Sequence, residues 1–355
     1  MEKLSVQERI EATRRFYAMD YAEGPLVGFF WGTYYPLKRY RGAESLPEGE
    51  YGAQDLEVEA FLPDYERLYA MYEEAGGETL WTGAAFWGVP WVEALCGCRV
   101  VADHATGSSR SLPLEDLETA ERLPRFDPHS PWVGKVVEFL QALRRQSAGR
   151  YPLGTTLMRG ISDILAALHG SPQFIYKLYD APAQQRSIIE RIVGAWIGFG
   201  RSQLKAIPDF HGGTGSCFYG LWMPGRGIWV QEDASALLSP PLFEEFILPG
   251  LNAILEKFDT AIIHLHPSSC IPVDLLVDTR LAAIELHIDY GGPRAQDLLP
   301  TYRRIQARKP LVIWGDLTAE DLDCISGKLD CRSLALVPVV QNREEAEGIW
   351  RRFKR

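Results

Sequence analysis

His264 and His266 stand two residues apart in a short apolar run, TAIIHLH, at residues 260–266. In a strand, an i, i+2 pair points both imidazoles to the same side, an arrangement that suits a divalent metal such as zinc. The run that follows, LAAIELHID at 281–289, alternates in the same way: Glu285, His287 and Asp289 share one face, and Ile284, Leu286 and Ile288 the other. Glu285 or His287 could therefore complete a three-ligand set with one open position, and Cys270 competes for that place if its PSSC loop folds back. The alternative is that both histidines only hydrogen-bond to neighbouring carboxylates, Asp233 and Asp316 among them. We expect His264, His266 and Glu285 as metal ligands, with Asp233, His287 and Asp316 orienting groups or exchanging protons.

These residues need elements that bring them to one place. Eight short segments rich in β-branched and aromatic residues recur at 25–31, 78–84, 152–157, 227–233, 260–266, 281–289, 310–316 and 333–338, with helical patterns between them. Residues 181–206 and 242–258 carry apolar positions at helical spacing, and 342–353 opens on an Asn N-cap with Glu345 at the capping-box position. Residues 209–215 (DFHGGTG) read as a loop because of their glycines. Strands alternating with helices imply a parallel sheet, and eight of them predict an α/β fold closed as a (β/α)8 TIM barrel. We expect a single barrel domain over residues 1–355, with an insertion at 87–131 covering the mouth. Chemistry in such a barrel lies at the C-terminal strand ends. There the fourth to seventh segments end with polar groups on one face, Gln231 and Asp233 beside the histidines and Asp316. A strand packed only for stability has no need of Glu, His and Asp there, because burying them unpaired costs several kcal/mol, roughly.

The composition narrows the partners. Of the 355 residues, 46% are hydrophobic, enough for a large core, and the net charge of -10 argues against nucleic acid, which demands a basic excess. No apolar run reaches the roughly 18 residues of a membrane span, and the N-terminus shows no apolar leader. Six irregularly spread cysteines read as reduced thiols, so the expected location is cytoplasmic and the expected ligand a small molecule. Aromatics after the first two segments, Trp31, Tyr34, Phe86 and Trp87, would wall its pocket, with Arg159, Asp163 and Gln231 as further substrate contacts; Arg159 and Asp163 could equally pair with each other.

Several runs resemble the uroporphyrinogen decarboxylase-like superfamily. PLGTTLMRGISDILAALHG at 152–170 is similar to the third-strand region of uroporphyrinogen decarboxylases, and VQEDASALLSPPLFEEFILP at 230–249 to their strand, SP-initiated helix and terminal Pro. GPLVGFFWGTYYPLKRYR at 24–41 occupies the place of the RQAGRY segment. The resemblance implies a (β/α)8 barrel, often a homodimer. It departs at the decarboxylase's own groups: Phe-Phe-Trp-Gly-Thr-Tyr replaces the substrate arginines, no Asp lies between Asp64 and Asp103 where the essential one follows the second strand, and Ala166 takes the place of the Tyr. The superfamily also holds methylcobalamin:thiol methyltransferases with a His-x-Cys zinc site and a later Cys. Here His264-x-His266 takes the place of that pair, and the last strand has no Cys. The resemblance thus implies metal-assisted methyl transfer with zinc, and a corrinoid carried on a separate protein. The alternatives are a metal-independent decarboxylase or lyase acting on a carboxylate, and a barrel that binds a small molecule without turnover.

The missing groups predict that this protein does not decarboxylate uroporphyrinogen. Coproporphyrinogen appearing at an enzymatic rate, about 1 s⁻¹ or faster, would overturn that expectation.

Overall fold

The computed structural model describes residues 4–115, 117–268 and 270–354. Its centre is a parallel sheet in which Gly227–Gln231, Thr260–Leu265, Ala283–Leu286, Leu311–Gly315 and Leu334–Val340 pair in sequence order. The last of these then pairs with the first barrel strand, present as two pieces, Leu26–Val27 and Phe30–Trp31. Closure through the second and third positions rests on fewer bonds. Glu78 N–H donates to the Val27 carbonyl, Gly83 bridges to Leu153, and Arg159 bridges to Gln231. All eight expected segments are thus in place around a TIM barrel, although the second and third are extended chain with isolated bridges.

Helices cover the outside for reasons visible in their sequences. Pro182–Ala206 starts on a proline, tolerated in a first turn. Arg343–Phe353 is capped by Asn342, whose side chain accepts from Glu345 N–H. The helix expected over 242–258 is instead Pro240–Leu242, a π-helical turn Phe243–Ile247, and Leu248–Leu255. Pro249 explains the interruption: it has no N–H to donate and its ring crowds the preceding turn. Within residues 87–131 lie a short helix, Trp91–Leu95, and two strands, Val100–Asp103 and Ser108–Ser111, which form an antiparallel sheet with Gly49–Tyr51.

The interior is filled from an unexpected source. Leu26, Phe30, Trp229, Ile262, Ala283, Val312, Trp314, Ala335 and Val337, the alternate residues of their strands, pack as one cluster with Phe218, Tyr219, Leu221 and Met223. Those last four belong to a hairpin, Gly213–Gly215 paired with Trp222–Pro224, where the glycines had suggested only a loop. Its first strand is tied to the third barrel position by Gly215 N–H donating to the Leu153 carbonyl at 3.0 Å. Its tip enters the barrel and supplies bulk where Ala283 and Ala335 leave room.

Two glycines let backbones meet at the strand ends near the mouth. A Cβ on Gly160 would lie 1.9 Å from the Gln231 carbonyl oxygen. At Gly315, with φ of 141°, it would lie 2.3 Å from the Ile288 oxygen. Among the described residues no helix is long and apolar enough to cross a membrane, and Cys96, Cys98, Cys217, Cys324 and Cys331 are free thiols.

The plug makes a stability prediction. Leu221→Ala, deep in the interior cluster, should lower the unfolding free energy by about 2–5 kcal/mol. Leu237→Ala, at an exposed position, should change it by about 0.5 kcal/mol or less. Urea denaturation of both variants checks the contrast, and equal small effects would show that the hairpin tip is not part of the core.

Candidate metal and substrate site

Register decides which polar groups meet. His264 lies opposite Gln231 on one side and Glu285 on the other. One strand pair therefore sets a histidine against a carboxyl group, and the chain beyond repeats the arrangement. His264 Nδ1 contacts Glu285 Oε2, and His266 Nδ1 meets the two carboxylate oxygens of Asp289 at 2.8 and 2.9 Å. With each Nδ1 held by an acid, the two Nε2 atoms face one another at 3.2 Å. Asp233 stands opposite them, one oxygen 3.4 Å from His264 Nε2 and the other 3.6 Å from His266 Nε2.

These separations match a metal's demands. Ligands about 2.0–2.2 Å from a tetrahedral zinc stand about 3.3–3.6 Å apart, close to the three distances here. Metal-bound histidines ordinarily donate their other ring N–H to a carboxylate or carbonyl, which fixes the tautomer. Both histidines have such a partner.

Glu285 stands apart from the two facing Nε2 atoms. It is fully buried behind His264 on the Nδ1 side, where it cannot share an ion with the two Nε2 atoms. Asp233, expected to orient groups, is the carboxylate that joins them. Two groups of potential ligand atoms converge among the described residues, Asp233 with His264 and His266, and His264 with Glu285 and His287; Cys270 is in neither.

Burial shapes the charges. It pushes His264 down to about 4 and Glu285 up to about 7, and it also lowers His287. At His266 burial works in the same downward direction, but the Asp289 hydrogen bond and the Asp233 charge outweigh it and raise the group to about 9. A neutral His264 with its Nδ1 occupied leaves Nε2 free to act as a ligand. Tyr219 extends the network inward: Trp229 Nε1–H donates to its oxygen at 2.8 Å, and its hydroxyl donates to Glu285 at 3.2 Å.

Asp233 is held through its own backbone. Asp163, on the helix after the third strand, accepts from Ala234 N–H at 2.7 Å and Asp233 N–H at 3.2 Å. Reciprocally, the buried Glu232 accepts from Ile161 and Ser162 N–H at 2.8 and 2.9 Å, at the start of that helix. The Gln231 amide also donates to the Asp233 carboxylate. Arg159 does not pair with Asp163; it bonds to the buried Glu93 at 3.2 Å. Arg159 and Asp163 line a groove that shares Gln231 and Asp233 with the mouth and is bordered by Arg110 and Ser111 of the insertion.

The mouth itself is a cavity of about 190 Å³ containing the three histidines, Gln231, Asp233 and Asp289, with Tyr34, Trp87, Leu157, Phe218, Trp229 and Trp314 around them. Tyr34 and Trp87 thus stand where the sequence placed them. Trp31 and Phe86 do not. Trp31 follows Phe30, so it falls on the outer face and packs with Val27, Phe29 and Tyr72. Phe86 is fully buried, with its ring 4.7 Å from Phe61. Asp316 also lies apart from the histidines, accepting from the Tyr34 hydroxyl at 2.7 Å. Trp229 and Trp314 were legible from strand alternation, since each shares a face with a polar strand-end residue. Phe218 carried no such signal, because it arrives on the hairpin.

No protein-family model matches the chain, and no curated protein matches it. Among solved structures it is similar to a methyltransferase from Methanosarcina mazei, with a TM-score of 0.65 and 13% identity over 97% of this chain and 98% of that one. At that identity the likeness establishes the shared fold, end to end.

Proposed function

We propose that this protein is a metal-dependent methyltransferase of the uroporphyrinogen decarboxylase-like superfamily, moving a methyl group between a small-molecule substrate and a corrinoid carried on a separate protein. One observation carries the reading: two histidines with converging Nε2 atoms, each backed by a carboxyl group on Nδ1, facing a third carboxylate. A divalent ion, zinc by its preference for imidazole and carboxylate, would supply Lewis acidity toward the substrate atom that carries the methyl group.

The chain's own residues do the rest. His264, His266 and Asp233 would provide the ligand atoms. Glu285 and Asp289 hold the imidazoles by Nδ1, which turns both Nε2 atoms toward the ligand position. Gln231 orients the Asp233 carboxylate, and Asp163 fixes the backbone beneath it. The aromatic side of the pocket excludes water from the reacting atoms, which strengthens every electrostatic interaction there. The resemblance to methyltransferases in the strand-end pattern and the similar fold of a solved methyltransferase point the same way.

Wild type and a His264→Ala/His266→Ala variant, both reconstituted with zinc and desalted, should differ by about one zinc per chain in elemental analysis. Equal, substoichiometric zinc in the two would overturn the metal reading. Asp289→Asn should bind zinc about 10–100-fold more weakly than wild type in a chelator competition, because it loses a carboxylate behind a ligand histidine. Unchanged affinity would mean that Asp289 does not support His266 in this role.

A further inference from the structure

We infer that the mouth pocket takes a small methylated cation, a quaternary ammonium whose methyl groups lie against the aromatic wall and whose charge faces Asp233 and Asp289. This goes beyond the proposed function: a quaternary nitrogen has no lone pair for a Lewis-acidic ion, so the inference concerns binding and stands independently of the metal reading.

The first observation is the wall. Ring centroids run without a break from Trp87 to Phe218 at 5.1 Å, from Phe218 to Trp229 at 4.6 Å and to Trp314 at 5.2 Å, and from Trp314 to Tyr34 at 6.4 Å. Aromatic faces carry the negative end of a quadrupole and attract cations, and clusters of them are the usual way to hold a quaternary ammonium.

The second observation is the charge. Asp233 and Asp289 line the cavity and Glu285 stands directly behind His264, whereas no lysine or arginine is among the described lining residues. Asp233 and Asp289 are two carboxylates against at most one cationic ring, the His266 that both approach, so the metal-free cavity presents a net negative face to a cation. An anionic substrate would find no arginine to pair with. Arg110 and Arg159 open onto the neighbouring groove instead. A neutral methylated arene would satisfy the rings but leave Asp233 and Asp289 desolvated against an apolar ligand, which is costly.

Size agrees. The cavity of about 190 Å³ exceeds the roughly 150 Å³ that accommodates a benzene molecule. It suits one compact head group.

The test uses the full-length protein, metal-free and zinc-loaded, titrated by tryptophan fluorescence with choline. The comparison ligands are its neutral isostere, the alcohol in which carbon replaces nitrogen, and anisole. Choline should bind about tenfold more tightly than the isostere in at least one metal state. Trp314→Leu should weaken choline binding by a similar factor, and because Trp314 is buried, the half-buried Trp87→Leu serves as a second variant, with circular dichroism checking the fold of both. Binding of the alcohol or of anisole as tight as that of choline, or no saturable choline binding in either state, would overturn the proposal. So would unchanged choline affinity in both folded variants. Zinc measured in the same samples reports separately on the metal reading.

Discussion

The contact between His264 Nδ1 and the buried Glu285 carboxyl group organises the mouth of this barrel. Glu285 has no exposed surface, and an unpaired carboxylate at such depth would be strongly destabilising. Its partners are His264, across one strand gap, and the Tyr219 hydroxyl, from the hairpin inside the barrel, while His287 Nδ1 stands 3.6 Å from its other oxygen. The imidazole is thereby fixed with Nε2 toward the cavity, and burial keeps it neutral. His266 and Asp289 repeat the arrangement nearer to solvent, where Asp289 remains a carboxylate and holds its histidine by charge. The inner pair is thus set by desolvation and the outer pair by Coulomb attraction, and both leave a nitrogen pointing to the same spot.

Around that centre, the fold spends its polar groups on position. Asp163 and Glu232 accept backbone hydrogen bonds across the gap between the third and fourth strands, where among the described residues the Arg159–Gln231 bridge alone joins them. Such a reciprocal latch compensates for a weak ladder, and Gly160 permits the close approach that it requires. Asp233 sits within that latch, between Glu232 and Ala234, which explains how a carboxylate beyond the end of a strand can be held opposite two histidines. The hairpin of residues 213–224 has the complementary task. It fills the barrel with Phe218 and Tyr219, so that the cavity is shallow and aromatic rather than a deep polar well.

Much of this was legible in the chain. The period-2 alternation of 260–266 and 281–289 placed His264, His266, Glu285, His287 and Asp289 on one face, because strand geometry leaves no other choice for residues two apart. Eight apolar segments separated by helical patterns specified the parallel barrel, and chemistry at the C-terminal strand ends followed from it. The same alternation, applied to Phe30 and Trp31, would have turned Trp31 outward.

What tertiary structure alone decided is which of those groups face the same point. Alternation fixes the side of a strand but not which ring nitrogen a neighbour occupies, so Glu285 reads as a ligand in the sequence and lies against His264 Nδ1 in the fold. The role of Asp233 depends on a latch between two segments 70 residues apart, and the wall depends on Phe218 entering on a hairpin whose glycines suggest only a loop. These are long-range contacts, and no local pattern encodes them, because the partner that satisfies each buried group comes from another turn of the barrel.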